Sequence, residues 1–145
     1  MSKKFIIDNC FYCNSTFPDE LDPEIIEFFK KVDKEPDCIL FIPYMFLYES
    51  MNSLEIAGRR KRFKPGIEEG LFSILKEFVK KVEKSPIVDS NNLRKLSKKY
   101  LLTMYDASYL ELAIEYDAIL CTTDFDLKKA AKKEGVKVWR PTLIF

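Results

Sequence analysis

Four acidic residues stand at places where an α/β fold could bring them together. Asp8 directly follows the apolar run Phe5-Ile6-Ile7, and Asp124 comes two residues after a later apolar run. Asp106 begins an amphipathic stretch, and Glu49 lies about two turns into the helix predicted after the second strand. Because ligands of parallel sheets lie beyond the carboxyl ends of the strands, we expect the four carboxylates to meet at one edge of the sheet.

Carboxylates that are crowded into one site repel each other, and burial raises the energy of their charged forms further. Such a cluster is stable when a hard cation neutralises it. Oxygen ligands without histidine or thiolate suit Mg²⁺ or Mn²⁺. Ions held in this way can activate water and stabilise the in-line displacement of a phosphoryl group. The pattern therefore indicates metal-dependent hydrolysis of a phosphodiester.

Each of these acids also has a simpler structural explanation. Asp8 could cap the turn after its strand, while Asp106 and Asp124 could cap helices, whose dipoles favour a negative charge at that end. Glu49 could lie on a solvated helix face, although its apolar neighbours make an unpaired carboxylate costly there. The metal interpretation therefore depends on all four acids converging.

The composition restricts the chemistry further. Residues 1–145 suffice for one domain, and 47% hydrophobic with 32% charged residues is typical of a globular protein. The chain has no histidine, which excludes Ser-His-Asp and Cys-His nucleophile systems, histidine-dependent RNA cleavage and histidine-containing zinc sites. The net charge of +1 gives no overall basic field. No apolar run suits a membrane span or a signal peptide, so we expect a cytoplasmic protein without a membrane partner.

Alternating strands and helices must position these residues. Apolar runs predict strands at 4–7, 38–42, 118–122 and 136–139, with a further short strand possible at 82–88. Helical periodicity predicts helices at 23–32, 44–57, 67–81, 89–100, 106–116 and 124–134. This alternation requires right-handed crossovers. The predicted fold is therefore single-domain, three-layer α/β/α, with a mostly parallel central sheet of four to five strands.

Capping residues indicate where several helices begin and end. Asp22 followed by Pro23 is a typical helix start, and Gly58 and Gly135 are the expected C-caps of their helices. The segment 9–14 is predicted as a turn of helix after the first strand, and residues 15–22 as a loop.

Four segments carry a recognisable pattern and follow one another along nearly the whole chain. They are Phe5-Ile6-Ile7-Asp8, residues 42–54, residues 102–113 and residues 120–127. The two helical segments, with Leu47-Tyr48-Glu49 and Tyr105-Asp106-Ala107, are the most specific. Together the segments resemble PIN-domain nucleases, and most closely the VapC-type toxins of bacterial and archaeal toxin–antitoxin pairs.

The resemblance implies a PIN-like fold and a Mg²⁺-dependent endoribonuclease that cleaves structured RNA as the toxin of a type II toxin–antitoxin system. The family's acidic residues, which hold Mg²⁺ and position the attacking water, correspond here to Asp8, Glu49, Asp106 and Asp124. Its auxiliary polar positions correspond to Asn52 and Thr122. The resemblance also implies a homodimer and a small cognate antitoxin that covers the site.

The chain departs from the family at the two positions after the first aspartate. The family usually has Ser, Thr, Asn or a small residue there, and this chain has Asn9 and Cys10. Asn9 can still donate a hydrogen bond, so we expect metal binding to persist. Cys10 changes the local hydrogen bonding.

The segment Cys10-Phe11-Tyr12-Cys13 supports an alternative function. A C-x-x-C directly after a strand is where a thioredoxin-like redox pair would lie. A zinc site would need more ligands, and only Cys38 and Cys121 remain. A thiol oxidoreductase using Cys10 and Cys13 is therefore one alternative, although it leaves three of the four acids unexplained. The default for both thiols is a reduced, buried state. A non-catalytic PIN-like RNA-binding protein is the other alternative.

A basic run follows the helix that contains Glu49. It has five positive charges in six residues: Arg59, Arg60, Lys61, Arg62 and Lys64. Sequence-independent affinity for RNA is mostly electrostatic, so the run could contact phosphates beside the acidic site. A solvated loop between helices explains the same run. The apolar helices 23–32 and 44–57 could contact a second protomer or an antitoxin.

Overall fold

A parallel sheet of four short strands forms the centre of the fold. The computed structural model of the chain describes residues 2–86 and 89–143. Its strands are β1 (Lys3–Ile7), β2 (Cys38–Pro43), β3 (Glu83–Ser85) and β4 (Ile119–Cys121). Their order is β3-β2-β1-β4, and every neighbouring pair is parallel. All four carboxyl ends therefore lie at one edge of the sheet.

Helices flank this sheet and contribute most of the chain. Those in the described residues are α1 (Asn9–Thr16), α2 (Pro23–Val32), α3 (Met45–Arg59), α4 (Ile67–Lys81), α5 (Ser90–Tyr100), α6 (Met104–Glu115) and α7 (Phe125–Lys133). The parallel α/β architecture predicted from the sequence is confirmed. None of the helices in residues 2–86 and 89–143 has the length and apolar character that crossing a membrane requires.

The centre of the core is β1. Phe5, Ile6 and Ile7 are fully buried, as expected for an apolar strand covered on both faces. Helix α6 contacts β1, β2 and β4, and its residues 107–113 are all buried. Two of the site residues therefore lie on well-packed elements: Asp8 follows the central strand, and Asp106 lies at the start of the buried helix.

Two predicted caps, Asp22 and Gly135, agree with the structure, and Asp89 caps a further helix. The carboxylate of Asp22 accepts a hydrogen bond from the Glu24 backbone N–H at the start of α2. Asp89 accepts from two backbone N–H groups at the start of α5. Gly135, with a φ of 73°, ends the turn after α7 in the left-handed region, where glycine is favoured.

The prediction that Gly58 caps a helix is wrong. Helix α3 continues through Gly58 to Arg59, and the left-handed residue after it is Lys61, with a φ of 54°. A Cβ at Gly58 would lie 2.6 Å from the carboxyl group of Glu68 in α4. Glu68 is exposed, and its carboxyl group is the end of a flexible side chain that can turn away.

Other boundaries also differ from the prediction. The segment 9–14 belongs to a complete helix that reaches Thr16, so the following loop is shorter than expected. The predicted strand 136–139 is reduced to one parallel bridge between Val138 and Leu120. The predicted strand 82–88 is β3, although residues 87 and 88 lie outside the described part of the chain. Helix α6 starts at Met104 because Thr103 caps it, so Asp106 occupies its first turn.

Candidate active site

Asp8 and Thr122 meet where β1 and β4 end side by side. The backbone N–H of Asp8 donates to the Cys121 carbonyl at 3.0 Å, which continues the pairing of the two strands. The Thr122 hydroxyl then donates to Oδ2 of Asp8 at 2.6 Å. The same hydroxyl oxygen accepts from the Asp124 backbone N–H at 3.1 Å. Thr122 therefore links the two aspartates that follow neighbouring strands.

Cys10 also contacts the Asp8 carboxylate. Its Sγ donates to Oδ2 of Asp8 at 3.1 Å and lies 3.4 Å from the Thr122 hydroxyl oxygen. Asp8 is only 4% exposed. Burial raises the pKa of its carboxyl group, the hydrogen bonds from Thr122 and Cys10 lower it, and the negative charge of Asp124 raises it again. Burial and the nearby charge of Asp124 therefore disfavour the ionised form of Asp8.

Glu49 reaches the same region from α3. The Tyr109 hydroxyl of α6 donates to its Oε1 at 2.7 Å, which joins the two helices. Burial raises the pKa of Glu49 to about 7, and the charges of Asp8 and Asp106 add to the increase, against the opposing effect of the Tyr109 hydrogen bond. Glu49 therefore titrates close to neutral pH.

Asp106 and Asp124 complete the cluster. Burial raises the pKa of Asp106, and the charges of Asp8, Asp124 and the exposed Asp126 raise it further. Asp124 caps α7 by accepting from the Leu127 backbone N–H at 2.8 Å. The four acids identified in the sequence therefore lie within electrostatic reach of one another at the carboxyl edge of the sheet. Asp126 is a fifth nearby acid that sequence reasoning did not single out.

The donor chemistry of this cluster fits a hard cation. It offers carboxylate oxygens, and no ion pair between described residues involves any of the four acids. As the side chains stand, no three described His, Cys, Asp or Glu residues form a group that could hold a metal ion. Mutual repulsion keeps carboxylates apart when no cation lies between them. Binding of Mg²⁺ or Mn²⁺ therefore requires the side chains to move together.

The two auxiliary positions differ in their surroundings. Thr122 lies at the centre of the site, whereas Asn52 is exposed on α3. Two other residues of α3 contact the start of α1 instead. Ser50 donates to Oδ1 of Asn9 at 2.8 Å, and Nδ2 of Asn9 donates to Ser53 at 2.9 Å. Asn9 thus attaches α1 to α3 and fixes the backbone beside Asp8.

Several of these supporting residues were missed in the sequence. Ser50 and Ser53 are three positions apart on one face of α3, which is the signal that could have identified them. Tyr109 follows Asp106 by three positions and would be found in the same way. The hydrogen bond from Cys10 to Asp8 has one signal in the sequence: a thiol stands at a position where a hydroxyl residue is expected.

One residue of the basic run, Arg62, makes hydrogen bonds within the fold. Arg62 donates to both carboxylate oxygens of Asp19 at 2.7 and 2.9 Å and to Glu20 at 2.8 Å. Its guanidinium also lies 5.9 Å from the ring centroids of Phe17 and Phe63. This arrangement attaches the run to the loop after α1. The remaining cations are exposed: Arg59, Arg60, Lys61 and Lys64.

The two thiols of the C-x-x-C segment lack the acidity of a redox pair. Both are free cysteines. Burial, followed by neighbouring negative charge, raises the pKa of Cys10 to about 11 and that of Cys13 to about 12. Catalytic redox cysteines have lowered pKa values, because the thiolate is the reactive form. The thiol oxidoreductase alternative is therefore disfavoured.

Solved structures share this fold at low sequence identity. PAE2754 from Pyrobaculum aerophilum is 19% identical with a TM-score of 0.68, over 90% of this chain and 87% of that chain. FitAcB from Neisseria gonorrhoeae is 13% identical with a TM-score of 0.63, over 97% and 99% of the respective chains. VapBC2 from Rickettsia felis, bound to a DNA fragment from its promoter, is 14% identical with a TM-score of 0.62, over 87% and 91%.

Sequence comparison gives no further assignment: no protein-family model and no curated protein matches the chain. Identities between 13% and 19% show the fold and do not by themselves show an activity. Together with the parallel sheet and its flanking helices, they show that this chain shares the PIN-like α/β fold of these structures.

Proposed function

We propose that this protein is a Mg²⁺-dependent endoribonuclease and the toxin of a type II toxin–antitoxin pair. One observation carries the proposal: Asp8, Glu49, Asp106 and Asp124 lie together at the carboxyl edge of the sheet. Burial raises the pKa values of Asp8, Glu49 and Asp106, and the charges of neighbouring acids of the cluster raise them further. A protein gains nothing in stability from such a cluster. Ligands of parallel sheets bind at the carboxyl edge, where this cluster lies. Its position therefore supports a binding site in which a cation offsets the negative charges of the carboxylates.

The chain's own residues divide the work in this proposal. Asp8, Asp106 and Asp124 would hold the ion, with Mn²⁺ as a possible substitute for Mg²⁺, and Thr122 fixes the Asp8 carboxylate. The bound ion supplies positive charge that stabilises the transition state of phosphodiester hydrolysis. Glu49 would either be a further ligand of the ion or orient the attacking water and accept a proton from it.

The toxin role is supported by the structural neighbours, which are PIN-domain proteins of toxin–antitoxin pairs. A small antitoxin that covers the acidic site and a homodimer of this chain are parts of the proposal. A groove of about 770 Å³ lies between α1, α2 and α4 and offers apolar surface, including Phe29, Ile74 and Phe78, to a partner. A small reading frame beside the gene, encoding a protein that co-purifies with the chain and blocks its activity, would test this part.

The catalytic part is tested by incubating the purified chain with total RNA, with and without Mg²⁺, and mapping new 5′ ends. We expect new ends only with Mg²⁺ and the wild-type chain. Asp8→Asn and Asp106→Asn should abolish cleavage while circular dichroism and thermal unfolding show a retained fold. Glu55→Gln, an exposed acid on α3, is the matched control and should cleave normally.

Cleavage by the wild-type chain in EDTA would contradict the metal requirement. RNA binding without any Mg²⁺-dependent cleavage would instead favour the non-catalytic RNA-binding alternative. Insulin reduction that depends on Cys10 and Cys13 would favour the thiol oxidoreductase. The three functions therefore give different results in these three assays.

A further inference from the structure

A second cavity lies beside the acidic cluster and shares two helices with it. Its volume is about 350 Å³, within the range of small-ligand pockets. Its mainly apolar walls include Met45, Leu93 and Leu112. Its lining residues Pro43 and Ser85 end β2 and β3, so the cavity lies at the same carboxyl edge of the sheet as the acids. Nothing in the proposed hydrolysis uses this cavity.

Two tyrosines stand at the mouth of the cavity. Tyr44 is 61% exposed and Tyr48 is 76% exposed, which is unusual for large aromatic side chains. They lie four positions apart at the start of α3 and therefore share one face of the helix. Tyr48 directly precedes Glu49. Exposed aromatic rings next to a nuclease site are suited to stacking on unpaired bases.

Apart from the two tyrosines, the polar side chains that line the cavity are Glu111, Ser108 and Ser85. Glu111 is only 5% exposed, and among the described residues its carboxylate accepts one side-chain hydrogen bond, a long one of 3.4 Å from Asn92. The Ser108 hydroxyl already donates to the Tyr105 carbonyl at 2.7 Å, and the Ser85 hydroxyl donates to the Tyr116 hydroxyl at 3.0 Å. Because both hydroxyl protons are engaged, the two serines offer oxygen lone pairs to a ligand.

We infer that this cavity binds one unpaired guanine base of the RNA substrate, with the base edge on Glu111 and its face against the tyrosines. Guanine has two adjacent donors on its Watson–Crick edge, N1–H and the 2-amino group, which match the two oxygens of a carboxylate. Adenine, cytosine and uracil each place an acceptor next to their donor, which a carboxylate repels. The inference rests on the proposed ribonuclease function and makes Glu111 a specificity-determining residue.

The test uses fluorescently labelled octaribonucleotides of uridine that carry one central guanine, inosine or adenine. Binding to the full chain is measured by anisotropy in EDTA. We expect guanine to bind about tenfold more tightly than adenine, since a good bidentate contact discriminates by roughly 5- to 150-fold. Inosine, which lacks the 2-amino group, should lie between them. Equal binding of the three oligonucleotides would overturn the inference without any variant.

Two variants and a matched control locate the contact. Glu111→Gln should erase the preference for guanine, because its carboxamide replaces one acceptor with a donor. Tyr48→Ala, at an exposed position, should weaken binding of all three oligonucleotides by a similar factor. Glu115→Gln, an exposed acid one turn further along α6, should behave as the wild type. A folded Glu111→Gln chain that still prefers guanine would refute the assignment.

The failure of this inference can be told from the failure of the proposed function by adding Mg²⁺ to the same oligonucleotides. Cleavage without a base preference overturns the guanine pocket and leaves the nuclease standing. Guanine-selective binding without cleavage supports the pocket and counts against the nuclease. If the chain forms a dimer that RNA does not disrupt, and if the double variant Tyr44→Ala, Tyr48→Ala is monomeric, the cavity is a protein interface. That result would overturn the inference.

Discussion

Replacing Glu49 with glutamine should make the metal-free protein more stable at neutral pH. The carboxyl group of Glu49 has a pKa of about 7 in the folded chain, compared with an ordinary value of 4.5. The folded state therefore binds a proton more tightly than the unfolded state, and the free energy of unfolding falls as the pH rises from about 4.5 to about 7. Glutamine cannot ionise, and its carbonyl oxygen can still accept the Tyr109 hydrogen bond.

The size of the effect follows from the two pKa values. Since a tenfold change in an equilibrium corresponds to about 1.4 kcal/mol, the full difference amounts to roughly 3 kcal/mol above neutral pH. Glu49 is only half-buried, so solvent screening reduces this value to about 1–2 kcal/mol. In a chain of this length the variant should unfold about 2–8 °C higher at about pH 8. Near pH 4 the two proteins should unfold at nearly the same temperature.

Urea and thermal unfolding of both proteins between about pH 4 and pH 8, in EDTA, measure this difference. Glu55→Gln on the same helix serves as the control for loss of an exposed acid. Mg²⁺ should stabilise the wild type more than the Glu49→Gln chain, because only the wild type has the full set of carboxylates to neutralise. If the difference in unfolding temperature between the wild type and Glu49→Gln does not change between about pH 4 and pH 8, the reasoning about this residue is wrong.

Three further predictions concern other contacts. Thr122→Val removes the hydroxyl that donates to the buried Asp8 carboxylate and should lower the free energy of unfolding, measured by urea denaturation, by about 1–3 kcal/mol. Thr122→Ser keeps a hydroxyl and should retain most of the wild-type stability. Changing Arg59 and Arg60 to glutamine should weaken RNA binding and flatten its salt dependence, and an unchanged slope of log K against log salt would exclude contacts from this run. Cys10→Ser should keep Mg²⁺-dependent cleavage, since a hydroxyl can donate to the same oxygen of Asp8, whereas loss of cleavage in a folded variant would require a specific role for sulphur.

The architecture could be predicted because its signals are local. Apolar runs such as Phe5-Ile6-Ile7 mark strands buried on both faces, and the alternation with amphipathic helices leaves a parallel sheet as the consistent arrangement. The meeting of the acids follows from this topology, because residues after parallel strands share one edge. Asp8 and Asp124 follow β1 and β4, which are neighbours in the sheet.

The errors arose where packing between distant segments decides the structure. Gly58 was expected to end its helix, but α3 continues through it to Arg59. The predicted strand at 136–139 has the right pattern but pairs with β4 at one residue only. The Tyr109–Glu49 hydrogen bond links residues 60 positions apart. No local pattern specifies such a pair, because it depends on the relative placement of two helices.

Cys10 shows how the departure from the family pattern can be compatible with the proposed site. A residue next to the buried Asp8 must donate a hydrogen bond and must not add negative charge, because the cluster already holds several carboxylates. The thiol of Cys10 donates to Oδ2 of Asp8, and its pKa of about 11 keeps it neutral at physiological pH. The same burial and neighbouring charge that suppress redox chemistry at Cys10 therefore suit it to replace a hydroxyl group. A residue that suggested a different activity is thus better explained as a supporting donor of the acidic site.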